Sequence, residues 1–271
     1  MEKAREIFIK IVKMLMKPEM RILPAHLAFF FVMTLIPLVA LVTTIAAALS
    51  ISTEAIRLAI IEYVPGGIAN ILNSVIAGDG INFNMIVFYF SAILLASNGA
   101  YSMINSSNEI YKVVPRNMIS RRLKAIGMTF IYIGLFLFLF LVPVFGSTIF
   151  GIVKEVTGDG TAINIFQGMM VILKYPLILL ILFFIIKTMY VIAPDQEIPS
   201  SSTNKGALFT SIGWILSTEI FAFYVDRFAR YDIFYGSISN IIILLLWVYL
   251  LSYIYVLGMV FNASAYRGEY E

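Results

Sequence analysis

Chemistry in this chain would begin at two charges set in apolar sequence. Glu219 lies inside GWILSTEIFAFY, and Lys174 lies about two helical turns into the apolar run 168–192. On insertion scales an ionisable group inside a membrane span costs about 2.5–3.5 kcal/mol, so each calls for a partner or a task. The two sit at similar depths from the outer ends of their runs and could pair. That pair is either a buried ion pair fixing helix register, or a protonatable, headgroup-binding site facing a cavity. A second group is neutral: Asn98, Ser102, Asn105 and Ser106 follow steps of three and four residues and share one helical face. Such residues either join helices, at about 0.6 kcal/mol each, or line a permeation path. His26, at the mouth of the first apolar run, reads as an interfacial residue or a ligand. Glu219, Lys174, Asn98, Ser102, Asn105 and His26 form the candidate substrate-binding set.

Other chemistries lack their residues. With one His and no Cys the chain offers neither an imidazole cluster nor a thiolate site, so no metal and no cofactor is expected. No H-E-x-x-H, no G-x-S-x-G and no G-x-x-x-x-G-K-[ST] occurs, which argues against zinc proteolysis, a serine nucleophile elbow and nucleotide hydrolysis. A formal charge of +3 is too small to imply a nucleic-acid partner. The expectation is that the chain is not an enzyme.

The elements that position these residues are long. Hydrophobic residues make up 61% of the chain and charged ones 13%, about half the charged share of a soluble domain. A bilayer span needs about 20 apolar residues. Six runs meet that: 24–50, 84–106, 124–150, 168–192, 206–227 and 236–263. The first is about twice the length of a signal-peptide core and reads as a retained helix. The fold class expected is an all-α membrane protein, a bundle of six transmembrane helices preceded by an amphipathic interfacial helix. Residues 1–22 form that cytoplasmic helix, 23–265 the membrane domain and 266–271 a cytoplasmic tail, with short surface helices in an outer loop at 51–83.

The N-terminal segment supports this division, since Ala4, Ile7, Phe8, Ile11, Val12 and Leu15 recur on one face with lysines mostly on the other. It reads as an orientation anchor or as a lipid-sensing or partner-binding helix. Basic residues gather in four segments: Lys3 to Arg21, Lys112 to Lys124, Lys187 with Lys205, and Arg267. In a six-span chain all four fall on one side, which the positive-inside rule makes cytoplasmic, with both termini. GDGINFN and GDGTAIN, each ahead of a span, hint at a hairpin repeat but are equally ordinary turn and N-cap sequences. In the last run, Gly236, Gly258 and Asn262 are read as helix-packing residues, small or polar groups that let a neighbouring backbone approach.

Tyr235-Gly236-Ser237, the apolar run through Trp247 and Tyr249, then Gly258, Asn262 and Ala263 resemble the C-terminal signature of the YihY/BrkB family of bacterial inner-membrane proteins. PAHLAFFFVMTLIPL resembles that family's first span, with Phe29 and Phe30 where tyrosines are usual and Thr34 in place of a serine. NEIYKVVPRNMISRRL is similar to its basic loop, and Pro194-Asp195, Gly206-Ala207 and Trp214 to the approach to its fifth span. One place departs: where the family commonly carries an acidic residue two positions after the glycine, this chain has Val260, so a role for that carboxylate does not transfer. The resemblance implies a multi-pass protein of the bacterial inner membrane that transports lipids or lipid-linked envelope precursors. The rival reading is a non-transporting envelope scaffold or assembly factor. Partners implied are membrane lipids, a second copy of the chain or envelope proteins. Some members once carried a ribonuclease BN label, but metal-assisted phosphodiester cleavage needs a cluster of His and carboxylates that this sequence lacks.

Overall fold

The computed structural model describes residues 15–48, 85–135, 161–227 and 235–267, together with 54, 57, 58, 60, 61, 69 and 137; the side chains at 43, 46–48, 85–89, 161–175 and 237 fall outside that description. Most of the N-terminal amphipathic helix, most of the outer loop, the far half of the third apolar run, all of GDGINFN and residues 158–160 of GDGTAIN lie outside the described residues.

Among the described residues all regular structure is helical. Helix α1 is Glu19–Ala48, α2 is Met85–Tyr111, α3 covers 118–135, α4 is Thr161–Ile192, α5 is Asn204–Arg227 and α6 is Ser239–Tyr266. Single 3-10 turns, Ser200–Thr203 and Gly236–Ile238, lead into α5 and α6. Among the described residues three segments are long and apolar enough to cross a membrane: Glu19–Val42, Ser200–Arg227 and Ser239–Tyr266. Helix α1 packs along α2 and α6, and α5 packs on both α4 and α6.

The distribution of side chains is that of a bundle solvated by lipid. Phe29, Met33 and Ile36 of α1, Leu216, Ile220 and Phe223 of α5, and Ile241 and Leu245 of α6 point outward, while Ser97, Ser102, Thr129, Thr210, Ser211, Ser217, Ser252 and Ser264 are buried. In water such a surface would drive association. In lipid, tails solvate the exterior and small polar residues let helices approach closely.

One end of the bundle collects the basic segments. Lys17 Nζ donates to Ser264 Oγ at 2.8 Å, Glu19 pairs with Lys112 at 3.0 Å, Lys124 pairs with Asp195 at 3.1 Å, and Arg267 Nη1 donates to the Ile110 carbonyl at 3.1 Å. The starts of α1 and α3 and the ends of α2, α4 and α6 therefore meet there. Asn262 adds the start of α5 through its bond to the Gly206 amide.

Candidate functional site

Three polar assemblies join the helices, and the first is a seam between α5 and α6 that runs inward from this basic end. Residues 206, 210, 214 and 218 recur every four positions and present one group per turn. Gly206 N donates to Asn262 Oδ1 at 2.8 Å, and Asn262 Nδ2 donates to the Thr203 carbonyl at 3.3 Å. Asn262 thus supplies an acceptor for one of the amides that a helix's first turn leaves without an intrahelical partner. One turn on, the Thr210 hydroxyl meets Tyr190 OH at 2.7 Å, and Tyr190 OH also donates to the Tyr255 carbonyl at 2.7 Å. Trp214 Nε1 donates to the Leu251 carbonyl and Trp247 Nε1 to Thr218 Oγ1. A methyl group on Gly258 would strike the Thr210 and Tyr190 hydroxyls; one on Gly206 would strike the Asn262 amide and the Gly258 carbonyl. Tyr190→Phe should destabilise the bundle by about 1–3 kcal/mol, because the Tyr255 carbonyl loses its hydroxyl donor and Thr210 keeps only the Ile254 carbonyl at 3.5 Å; thermal unfolding in detergent checks it.

Gly236 lies outside this seam. A Cβ there meets open space, and what calls for glycine is its φ of +52° in the turn before α6. The packing role expected for Gly236 gives way to a conformational one.

The second assembly is a staple between distant segments. The Asp195 carboxylate, fully buried, accepts from Asn108 Nδ2 at 2.7 Å, from the Arg116 amide at 3.1 Å and from Lys124 Nζ at 3.1 Å. In return Asn108 Oδ1 accepts the Asp195 amide at 2.8 Å, while Lys124 also reaches the carbonyls of Ala193 and Pro194. Burial alone would push the Asp195 carboxyl up, but hydrogen bonds from Lys124, the Arg116 amide and Asn108 outweigh it and hold the group below its ordinary value. A depressed folded-state pKa gives stability that is fully present above the unfolded value of about 3.9 and is lost as pH falls through the folded value. The melting temperature in detergent should therefore hold as pH is lowered toward about 4 and fall below it, and Asp195→Asn should remove that part of the acid dependence.

The third assembly lies where α2, α1 and α3 meet. His26 Nδ1 and Ser102 Oγ lie 3.0 Å apart. Arg122 Nη1 donates to Asn98 Oδ1 at 2.9 Å and its Nη2 to the Leu94 carbonyl at 2.8 Å; Arg121 Nη1 donates to Asn105 Oδ1. Both guanidinium groups stand over the Tyr101 ring, at 5.5 and 5.9 Å. The structure thus brings His26, Asn98, Ser102 and Asn105 into one polar cluster and adds Arg121 and Arg122. A pocket of about 300 Å³ opens beside it, between the end of α2 and the start of α3, lined in part by Asn105, Asn108, Glu109, Lys112 and Arg121. At its rim Lys112 takes a left-handed backbone, φ 57°, ending α2 where glycine is usual.

Glu219 is not part of this cluster. It is exposed on α5, about 200° around the helix from buried Ser217 and in line with outward-facing Leu216 and Phe223. Lys174 lies on α4, and its side chain falls outside the described residues. Among the described residues no group of three His, Asp or Glu side chains could hold a metal ion. In the sequence Arg121 and Arg122 are legible as charges that set orientation and as part of the basic loop that carries the family resemblance. The available signal was their place at a helix start directly following an asparagine-bearing span.

Comparison with known proteins places the chain among membrane proteins. The family described as Virulence factor BrkB matches residues 12–271. A ribonuclease-like protein, YfkH, of Bacillus subtilis (strain 168) is 33% identical over 250 residues, 90% of this chain and 89% of that one. A UPF0761 membrane protein of Vibrio atlanticus (strain LGP32) is 23% identical over 258 residues, covering 91% and 77% of the two chains. No solved structure matches.

Proposed function

The chain belongs to the BrkB virulence-factor family of membrane proteins, and from that premise we propose that it is a six-span transporter of the bacterial inner membrane, carrying lipids or lipid-linked envelope precursors. Both termini and the basic loops face the cytoplasm, a reading supported by the meeting of Lys17, Lys112, Lys124 and Arg267 at one end of the bundle. The observation that carries the transport reading is the cluster of His26, Asn98, Ser102, Asn105, Arg121 and Arg122, polar and cationic groups gathered beside a pocket at the end of a span. Glu219, a carboxylate on an otherwise apolar face, and Lys174 remain in the proposed set, serving a headgroup or a second copy of the chain.

One observation favours the scaffold reading: Asn98, Ser102 and Asn105 are each engaged by another side chain of the bundle, as residues that merely join helices would be. Mass spectrometry of lipids co-purifying in mild detergent separates the two. Transport predicts selective retention of one lipid class, reduced in Asn105→Ala, Glu219→Gln and Lys174→Gln. A profile equal to the bulk membrane in native and variant proteins would favour the scaffold. Native Cys is absent, so single introduced cysteines can report the topology directly.

A further inference from the structure

Charge compensation at the basic end is uneven. Lys112 is paired with Glu19 at 3.0 Å and Glu109 at 3.4 Å, and Lys124 with Asp195. Arg121 and Arg122, adjacent in sequence and both half-buried, take part in no ion pair among the described residues. Their acceptors are the neutral amide oxygens of Asn105 and Asn98 and the Leu94 carbonyl, with the Tyr101 ring against both. Neutral acceptors orient a guanidinium without cancelling its charge, and two like charges side by side leave a field that favours an anion. One donor is also unused: among the described residues Arg121 Nε is buried with no hydrogen-bond partner, and Arg121 lines the 300 Å³ pocket. A buried donor without an acceptor is uncommon in native proteins and calls for a ligand or an ordered water.

We propose that this pocket binds a phosphate group, with Arg121 as the principal donor, held in place by Asn105 and Tyr101, and with Arg122 reinforcing the field. Guanidinium is suited to the task because its planar donors match phosphate oxygens and it stays charged at all working pH. The Glu109 carboxylate on the pocket wall shares Lys112 with Glu19, so these two carboxylates stand against Lys112, Arg121 and Arg122 and the balance stays positive. The phosphate could belong to a lipid headgroup or be free in the cytoplasm. The connection from α2 to α3 speaks for the lipid: Val114, Met118, Ile119 and Leu123, beside the pocket residues in sequence, expose 87, 72, 74 and 65% of their surface, apolar groups suited to the acyl boundary while the arginines meet headgroups. This inference rests on the lipid-handling reading and names the chemical class of what is handled.

The test is a binding titration of the purified full chain by native mass spectrometry. Phosphatidylglycerol is compared with diacylglycerol of the same acyl chains, with and without inorganic phosphate as competitor. The site predicts at least a tenfold preference for phosphatidylglycerol, lost in Arg121→Gln and partly retained in Arg121→Lys. Arg122→Gln serves as the second variant should the first not fold. Displacement by millimolar phosphate would assign the site to soluble phosphate; resistance to it, to the lipid headgroup. Equal binding of the two lipids, or a full preference in every variant that folds, would overturn the site. If the preference holds in a protein that moves no lipid, the site stands and the transport reading falls.

Discussion

Gly206→Ala is expected to destabilise the bundle by about 3 kcal/mol, the upper part of the range for overpacking a close-packed interior. The methyl group has nowhere to go: it would meet the Asn262 amide on one side and the Gly258 main-chain carbonyl on the other. A side chain can rotate away, but Asn262 is fixed at both ends of its amide, by the Gly206 N–H and by the Thr203 carbonyl. A main-chain oxygen of α6 moves only if the helix moves. Relief thus means separating α5 from α6, which strains the Thr210–Tyr190 bond one turn away. Gly258→Ala should fall in the same range, since its methyl meets two bonded hydroxyls. Gly127 and Gly134 supply the contrast: a Cβ at either meets nothing within contact distance, and alanine there should stabilise by up to about 1 kcal/mol through helix propensity alone. Thermal unfolding of the four single variants in one detergent gives the comparison. Equal small effects at all four positions would contradict the close approach of α5 and α6.

Removing the Asp195 carboxylate should cost about as much. Asp195→Ala is expected to destabilise by about 3–5 kcal/mol, the usual cost of taking one partner from a buried charge pair. Three donors lose their acceptor together: the Lys124 ammonium, the Asn108 amide and the Arg116 main-chain N–H. Lys124 keeps the carbonyls of Ala193 and Pro194, so part of its desolvation remains compensated. Among the described residues Asn108 has no such second acceptor, and it sits at 3% exposure. Lys124→Met leaves the complementary orphan, a buried carboxylate, and should cost a similar amount. The double variant Asp195→Asn with Lys124→Met should cost less than the sum of its singles, since neither then strands a charge. Additive losses would mean that the two side chains do not interact.

How much of this the sequence disclosed depends on the kind of contact. Long apolar runs announce helices by length, and the described helices overlie those runs, the third over its first half, since a backbone among apolar groups must satisfy its own hydrogen bonds. The spacing of Gly258 and Asn262 also marks a possible contact, because small-xxx-polar spacing needs only one helix to be seen. Facing was harder to read. Helix α5 carries Leu, Ile and Phe around most of its circumference, so hydrophobicity does not tell inside from outside, and Glu219 was placed by depth alone. The small residues Gly206, Thr210, Gly213 and Ser217 carry the information instead, and Glu219 is off their face. Least legible was the staple, because Asn108 and Asp195 are 87 residues apart and no local pattern links them. Arg121 and Arg122 illustrate a different loss: a residue that follows a general rule for orientation conceals any specific task it has as well.

The measurement that bears most directly on the central claim is lipid translocation by the purified chain in proteoliposomes. A fluorescent phospholipid is followed from one leaflet to the other by chemical quenching. The account predicts translocation above protein-free vesicles, reduced at least tenfold in Arg121→Gln and Asn105→Ala while Gly127→Ala stays unchanged. Phospholipid and lipid-linked precursor probes that cross no faster than in protein-free vesicles, with the native chain folded and monodisperse, would contradict it and leave the chain as an envelope scaffold.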